Sequence, residues 1–324
     1  MCTAITYQTK DHYFGRNLDL EYCYDERVTV TPRNYPFRFR QMGEMPTHYA
    51  MIGMAYVSEG YPLYYEATNE RGLSMAGLNF PGNACWAQPK EGRDNVSPFE
   101  FIPWVLAQCK NLAEARTLLE RVNLMNVNFS QELPLSPLHW MVADRSGALT
   151  VEQVADGLKI YENPVEVLTN NPTFDHHLAN LQNYMGLTAR EPQNTFAPGL
   201  ELTPCSKGMG AIGLPGDLSS VSRFVRAAFV RMNSRSGEGE SESISQFFHI
   251  LGSVAHQRGC VDLGEGKYEI TYYSCCCNTD RGIYYYTTYE NSRITAVDMH
   301  REDLDGTAVV SYPLITGQQI EYQN

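Results

Sequence analysis

Cys2 is the residue with the clearest potential for chemistry, because removal of Met1 would make it the first residue of this 324-residue chain. An N-terminal cysteine carries both a nucleophilic sulfur and a free α-amine. An amine with an ordinary pKa of about 8 can act as general base for its own side chain. A cysteine that stands second without any function is the simpler alternative. Cys2 alone therefore raises the hypothesis of an N-terminal nucleophile without deciding it.

Two charged residues near Cys2 could assist such a nucleophile. The first 20 residues have the composition of a hairpin with strands at 2–8 and 13–20, and this pairing brings Arg16 and Asp19 across from Cys2. A guanidinium beside a thiol lowers the pKa of the thiol, and a carboxylate can orient an amine. The alternative is a surface ion pair between two strands, which contributes less than about 1 kcal/mol.

Predicted helices and strands are segregated along the chain rather than alternating. A serine, a proline and a glutamate at 97–100 form a capping box that begins the first predicted helix. Further helices are predicted at 112–122, 174–184, 219–232 and 243–257, with a polar surface loop at 233–242. Further strands are predicted at 138–144, 148–154, 158–162, 165–169, 268–274, 282–289, 294–299 and 307–312. This order favours an α+β fold with antiparallel sheets, and we expect residues 1–324 to form a single domain.

The composition excludes several classes of protein. Hydrophobic residues make up 43% of the chain and charged residues 19%, which is the balance of an ordinary globular protein. The formal net charge of −12 argues against a nucleic-acid binder that uses a basic patch. No apolar run approaches the length of about 20 residues that a membrane span needs. The N-terminus lacks the pattern of a signal peptide, so we expect a cytoplasmic protein without membrane insertion.

The nine cysteines predict neither a disulfide framework nor a zinc site, because their number is odd and no pair has CxxC spacing. The consecutive residues Cys275, Cys276 and Cys277 are expected to be buried as small apolar side chains. A GxGxxG spelling at 208–213 lacks the preceding strand and following helix of a dinucleotide site. The neighbouring histidines at 176–177 lack an accompanying HExxH motif. We therefore predict no metal and no dinucleotide at these positions.

Several separated segments, taken in order, resemble one known family. They are MCTAIT at 1–6, FGRNLDLEY at 14–22, AGLNFPGNA at 76–84, NVSPFEFIPW at 95–104, LPLSPLHW at 133–140, VLTNNPTFDHHLANLQNY at 167–184, GLPGDLSSVSRFVRAAF at 213–229 and YYYTTYENSRITAVDM at 284–299. Together they resemble the choloylglycine hydrolases, the conjugated bile salt hydrolases related to penicillin V acylase among the N-terminal-nucleophile hydrolases. The resemblance implies a four-layer αββα sandwich, with two antiparallel sheets between helical layers. It also implies amide hydrolysis without a cofactor.

The resemblance implies roles for residues around the nucleophile. Cys2 matches the nucleophile of the family, exposed by loss of the initiator methionine. Arg16 and Asp19 match the pair that surrounds the catalytic sulfur and amine. Arg223 matches the second arginine of the site, and Arg226, on roughly the same helix face, is the alternative.

Two asparagines match the family's donors to the oxyanion. Asn79 matches a position whose backbone N–H helps to hold the oxyanion, and Asn170 matches a side-chain donor, with Asn171 as the alternative. A carbonyl attacked by sulfur develops a negative oxygen, and the loss of one donor to it typically costs about 10²–10³ in rate. From the residues alone, each asparagine could equally be an ordinary turn residue.

A steroid substrate requires a wide apolar pocket. Leu18, Leu20, Leu133 and Leu135 could line such a pocket, although apolar residues at such positions more often belong to a core.

The reaction implied by the resemblance is hydrolysis of the amide that joins a bile acid to glycine or taurine. The first alternative is penicillin V acylase or another linear-amide acylase. Penicillin-active relatives typically have tyrosine at the position of Asn79, so this residue favours bile salts. A catalytically silent bile-acid binder is the second alternative, favoured if Met1 stays attached, because an acylated α-nitrogen cannot act as a base. The resemblance also implies a homo-oligomer, expected to be a tetramer.

Overall fold

The computed structural model describes every residue from Met1 to Asn324, and most of its regular structure is β-strand. The strands are β1 Cys2–Gln8, β2 His12–Leu20, β3 Arg27–Thr31, β4 Phe37–Phe39, β5 Gly43–Met45, β6 Met51–Ser58, β7 Tyr61–Asn69, β8 Ser74–Asn79, β9 Asp94–Val96, β10 Val122–Leu124, β11 Leu138–Asp144, β12 Gly147–Val154, β13 Gly157–Glu162, β14 Val167–Leu168, β15 Asp262–Gly264, β16 Lys267–Tyr268, β17 Ile270–Asn278, β18 Ile283–Thr288, β19 Asn291–Asp298 and β20 Val310–Pro313. The helices are α1 Phe101–Gln108, α2 Leu112–Leu119, α3 Phe174–Asn180, α4 Ser220–Asn233 and α5 Glu240–Gly252. Short 3₁₀ turns lie at Pro98–Glu100, Leu181–Tyr184, Met209–Ala211 and Met299–Arg301.

Two large antiparallel sheets organise the chain. The six-stranded sheet has the order β14-β1-β2-β17-β18-β19, and the eight-stranded sheet has the order β13-β12-β11-β8-β7-β6-β3-β20. The two sheets contact each other where β1 and β2 face β8. The N-terminal hairpin therefore lies near the centre of the six-stranded sheet and against the middle of the other sheet.

Helices cover the outer face of each sheet. The pair α1 and α2 packs on β7, β8, β11 and β12, and the pair α4 and α5 packs on β1, β2, β14 and β17. One apolar core fills the space between the sheets and under α4 and α5, and a second lies beneath α1 and α2. These four layers are the αββα sandwich implied by the sequence resemblance, and the α+β prediction is confirmed.

Coverage on both faces explains the burial of polar residues in the hairpin. In β2 every residue from His12 to Asp19 is buried, and in β1 every residue from Cys2 to Tyr7. A strand covered on both sides has no solvent face, so its polar side chains must find partners inside the protein. Arg16 and Asp19 therefore do not form the exposed ion pair that was the alternative from sequence.

Several predicted elements are confirmed with small changes of boundary. The hairpin has its strands at Cys2–Gln8 and His12–Leu20. The capping box is also present, because the backbone N–H of Ser97 donates to Glu100 Oε2 over 3.1 Å. The helix predicted at 112–122 ends earlier, at Leu119, because the next residues turn into β10.

The boundaries predicted for the last helix and for the loop before it were wrong. The helix begins at Glu240 rather than 243 and ends at Gly252 rather than 257. Glu242 accepts a hydrogen bond from the backbone N–H of Gly239, so the acidic end of the predicted polar loop caps the helix. The segment predicted as strand at 165–169 is regular only at Val167–Leu168.

Four strands of the eight-stranded sheet lie between the hairpin and the first helix, where the sequence led to no strand prediction. They are β3, β6, β7 and β8. Strand β6 is buried over Met51–Ala55, so it reads as a continuous apolar run without polar alternation. The buried cysteine run at 275–277 is confirmed within β17. Each helix is too short or too polar to cross a membrane.

Alkylation tests the burial of the cysteine run. In the folded protein, iodoacetamide should label the exposed Cys23, Cys85, Cys205 and Cys260 and leave the run at 275–277 unlabelled. Burial raises the pKa of each thiol in the run, and the thiolate is the reactive form. The protein is treated with isotopically light iodoacetamide before unfolding and with heavy iodoacetamide after it. Peptide mass spectrometry then measures the labelling of the exposed and the buried cysteines. Labelling of the run at the rate of Cys260 under native conditions would contradict the sheet structure.

Candidate active site

Cys2 opens β1 and lies in the core, paired with Leu18 of β2. Its backbone N–H donates to Asn170 Oδ1 over 2.8 Å. In antiparallel pairing, directly opposite residues share a face of the sheet. Ala4 pairs with Arg16, so Cys2 and Arg16 both lie on the face that meets the eight-stranded sheet.

Arg16 connects the hairpin that carries Cys2 to the facing sheet. Its Nη1 donates to the carbonyl oxygens of Gly77, at 2.6 Å, and Tyr65, at 3.2 Å. Burial tends to lower the pKa of Arg16, but the negative charges of nearby groups, Cys2 foremost among them, raise it above the ordinary arginine value.

Glu66 is a counter-charge to Arg16 that sequence reasoning missed. Its Oε2 lies 3.8 Å from Arg16 Nη1, and both side chains are almost fully buried. The hydroxyls of Tyr273 and Tyr284 donate to the carboxylate over 2.8 and 2.6 Å. Burial raises the pKa of Glu66, opposed by the Arg16 charge. Glu66 lies in β7, a strand that was not predicted from the sequence, and a single glutamate gives no sequence signal of this role.

Asp19 lies on the opposite face of β2, beneath the helices. Its Oδ1 accepts from Thr271 Oγ1 over 2.6 Å, whereas Oδ2 has no hydrogen-bond partner. Arg223 Nη1 is 4.0 Å from Oδ2, and His256 Nε2 is 3.7 Å from it. The backbone of Asp19 pairs with Met1, because its N–H donates to the Met1 carbonyl over 2.9 Å.

The N-terminal ammonium of Met1 lies in an acidic environment. It donates to the backbone oxygen of Asp19 over 2.7 Å and lies 2.9 Å from Glu269 Oε1. Asp19, His256 and Glu269 bring their potential ligand atoms within 4.8 Å of one another, which is compatible with a metal ion. Arg223 and the ammonium, however, already balance the two carboxylates. In the chain that retains Met1, the arrangement is therefore explained by its own charges.

Asn170 bridges the nucleophile and the facing sheet. Its Oδ1 accepts from the N–H of Cys2 and also from Arg223 Nη2, over 2.7 Å. Its Nδ2 donates to the backbone oxygen of Asn79 over 2.7 Å. The side chain of Asn171 instead donates to the Pro81 carbonyl over 2.6 Å. Of the two adjacent asparagines, only Asn170 contacts Cys2.

Arg223 projects from α4 beneath the hairpin and is fully buried. Its Nη1 donates to the Cys2 carbonyl over 2.5 Å and to Thr3 Oγ1 over 2.7 Å. Arg226 points elsewhere, because it donates to the carbonyl oxygens of Ser253 and Pro215. Of these two arginines, Arg223 is the one that lies at the site.

A cavity of about 410 Å³ lies beside the groups that hold Arg16. Gly77 and Tyr65, whose carbonyls bind Arg16, both contribute to its wall. Most of the lining is aromatic or aliphatic, including Tyr24, Tyr56, Phe99, Phe129, Leu133 and Leu135. Leu18 lies in the core instead, and Leu20 packs against that core rather than lining this cavity.

Comparison with protein families gives a match over nearly the whole chain. The model of the linear amide C–N hydrolases, choloylglycine hydrolase family, matches residues 2–312. A bile salt hydrolase/transferase of Lactiplantibacillus plantarum is 54% identical over 314 residues, 97% of this chain and 97% of that protein. A bile salt hydrolase/transferase of Clostridium perfringens is 39% identical over 317 residues, 96% of each chain.

Solved structures agree with the fold. A variant of the conjugated bile acid hydrolase from Clostridium perfringens superposes with a TM-score of 0.92 at 37% identity and covers 100% of both chains. Penicillin V acylase from Agrobacterium tumefaciens gives a TM-score of 0.76 at 20% identity, covering 96% of this chain and 90% of that one. At that identity the second likeness concerns the fold alone. The family resemblance found in the sequence is confirmed.

The pH dependence of stability tests the packing beneath Asn170. His177 Nε2 donates to the Asn170 carbonyl over 2.9 Å, and burial lowers the pKa of His177 to about 4. Because this value lies below the ordinary 6.5, the neutral ring contributes stability that is present above pH 6.5 and lost as pH falls toward 4. The stability advantage of wild type over His177→Gln should shrink by roughly 3 kcal/mol between pH 7 and pH 4. Urea unfolding measures it.

The exposed neighbour His176 supplies the control for this measurement. His176→Gln should follow wild type across the same pH range, since its ring stays in solvent. Parallel stability curves for wild type and His177→Gln would contradict the burial of a neutral imidazole beneath Asn170.

Proposed function

Because the chain belongs to the choloylglycine hydrolase family of linear amide C–N hydrolases, we propose that it hydrolyses the amide bond of glycine- and taurine-conjugated bile salts with Cys2 as nucleophile. The observation that carries the proposal is that Asn170 and Arg223 both bind a buried Cys2, on a sheet face shared with Arg16. The carbonyl partners of Arg16, at Gly77 and Tyr65, line an apolar cavity. The names of the relatives support the substrate class.

The first step requires a free α-amine, so we propose that Met1 is removed. The nitrogen of Cys2 would then be an amine that accepts the proton of its own thiol. Asn170 Oδ1, which accepts from this nitrogen over 2.8 Å, would hold the amine in place. The Arg16 guanidinium would stabilise the thiolate.

The thiolate attacks the substrate carbonyl and forms a C–S bond, and the carbonyl oxygen becomes negative. Asn170 Nδ2 uses one N–H for the Asn79 carbonyl and has a second N–H for this oxyanion. The backbone N–H of Asn79 is the proposed partner donor. Two neutral donors stabilise the oxyanion without competing for the proton that the amine carries.

Collapse of the intermediate breaks the C–N bond. The ammonium of Cys2 gives its proton to the departing nitrogen, and glycine or taurine leaves. A water molecule, activated by the same amine, then attacks the thioester. Breaking the C–S bond releases the free bile acid and restores the thiol.

The cavity is compatible with a large apolar acyl group. Its tyrosines and phenylalanines offer flat apolar surface with a few hydroxyls, as expected for a steroid with polar substituents. Asn79 favours bile salts over phenoxyacetyl amides, the substrates of the alternative acylase. A homotetramer, implied by the family resemblance, and a cytoplasmic location, expected from the N-terminal sequence, stay predictions.

Replacement of the nucleophile tests the reaction. Cys2→Ala should reduce glycine and taurine release from conjugated bile salts by at least about 10³-fold, because the variant has no thiol to act as the nucleophile. Cys276→Ala, which removes a buried thiol elsewhere in the same sheet, should keep activity. Chromatography of the released amino acids measures both. Wild-type cleavage of phenoxyacetyl amides alone would favour the acylase, and binding without turnover would favour a silent binder.

The two arginines of α4 provide a matched pair. Arg223→Lys keeps the charge but loses the fork that reaches Cys2, Thr3 and Asn170, so kcat/KM should fall by about 10- to 100-fold. Arg226→Lys should stay within about threefold of wild type, because its partners lie away from Cys2. Steady-state kinetics on one conjugate measures both. Equal losses in the two variants would contradict the assignment of Arg223 to the site.

A further inference from the structure

His139 belongs to the sequence segment at 133–140, yet the hydrolysis described above gives it no role. It lies in β11, fully buried, opposite Leu78 and thus next to the pair formed by Leu138 and Asn79. Its Nδ1 is 2.9 Å from Glu152 Oε1, and its Nε2 is 2.9 Å from the Thr169 carbonyl oxygen. Both ring nitrogens are therefore directed at oxygen atoms.

The partners determine where the protons lie. The Thr169 carbonyl can only accept, so His139 Nε2 carries a proton. Nδ1 lies at hydrogen-bond distance from the Glu152 carboxylate, which also accepts from the backbone N–H of Phe174 over 3.1 Å. Both side chains of this pair are fully buried. A buried pair of this kind is tolerated only with good geometry, and removal of one member leaves the other unpaired.

The bond to Thr169 fixes the chain immediately before Asn170. The backbone N–H of Asn170 donates to Ser220 Oγ over 2.8 Å, and its carbonyl accepts from His177 Nε2 over 2.9 Å. His139, Ser220 and His177 thus hold three consecutive polar groups of the main chain. This fixed backbone is the base from which the Asn170 side chain reaches Cys2, whose N–H donates to Asn170 Oδ1 over 2.8 Å.

His139 also contacts the segment that carries Asn79. The ring of Phe80 stacks on the imidazole with ring centres 4.2 Å apart and planes 7° from parallel. The backbone N–H of Phe80 donates to the Pro137 carbonyl over 2.7 Å. One imidazole therefore touches the residue before Asn170 and the residue after Asn79.

We propose that His139, held by Glu152, is a positioning residue that fixes Asn170 and Asn79 relative to the sulfur of Cys2. The inference rests on the proposed function, in which these two asparagines are the oxyanion donors. A donor of this kind works only at about 2.7–3.1 Å from the oxyanion, and a misplacement of about 1 Å can cost about 10²-fold in rate.

The test compares two equally buried histidines in the full-length processed protein. His139→Gln should lower kcat for a glycine conjugate by about 10- to 100-fold and leave KM within about twofold, since the lost interaction belongs to the transition state. His12→Gln is the control, because His12 is buried and bonded to Thr279 Oγ1 at the far end of β2. It should keep kcat within about twofold.

Alkylation of Cys2 by iodoacetamide separates positioning from general damage. This displacement forms no oxyanion, so its rate at Cys2 should be the same in His139→Gln and wild type. Glu152→Gln leaves His139 with a hydrogen-bond partner, so it should lower kcat by a smaller factor than His139→Gln does. It serves as a second variant if His139→Gln folds poorly.

Normal kcat in both His139→Gln and Glu152→Gln would overturn the proposal, as would equal losses in His139→Gln and His12→Gln. Slower alkylation in step with slower hydrolysis would overturn it too, because the defect would then lie in the nucleophile. A wild-type enzyme that releases no amino acid would instead contradict the proposed function.

Discussion

The side-chain amide of Asn170 is the connection on which the site depends. Its oxygen accepts from the nitrogen of Cys2 and from Arg223, and its nitrogen donates to the carbonyl of Asn79. Asn170 follows the edge strand of the six-stranded sheet, whereas Asn79 ends a strand of the other sheet. One amide therefore joins the nucleophile, the buried arginine and the facing sheet, and a shift between the two sheets would break its contact with Asn79.

Burial between covered sheets explains why the surroundings of Cys2 are so heavily bonded. A charge without a partner is costly in such a layer, so both buried arginines are held by charged or polar partners. Arg16 has Glu66 and two carbonyls, and Arg223 has Asn170 and the carbonyl of Cys2. The same partners keep the side chains rigid, which favours a pre-organised site over one assembled on binding.

Local patterns in the sequence predicted some of this structure, and long-range contacts needed the family resemblance. The register of one hairpin sufficed to bring Arg16 near Cys2, and the capping box at 97–100 marked its helix. Asn170 and Arg223 meet Cys2 across more than 160 residues, which no spacing rule foresees. Strand β6 was not predicted because burial on both faces removes alternation. Glu66 and His139 were missed because each stands between apolar neighbours, and nothing next to it in the sequence indicates its distant partners.

Intact mass spectrometry combined with a rate assay tests the central claim most directly. Preparations made with and without an inhibitor of methionine removal would contain different fractions of chains that begin at Cys2. The free amine of Cys2 is the proposed base, so the rate of glycine and taurine release per chain should rise in proportion to the fraction that lacks Met1. Full activity in chains that retain Met1 would contradict the account, because their Cys2 nitrogen is an amide and cannot accept a proton.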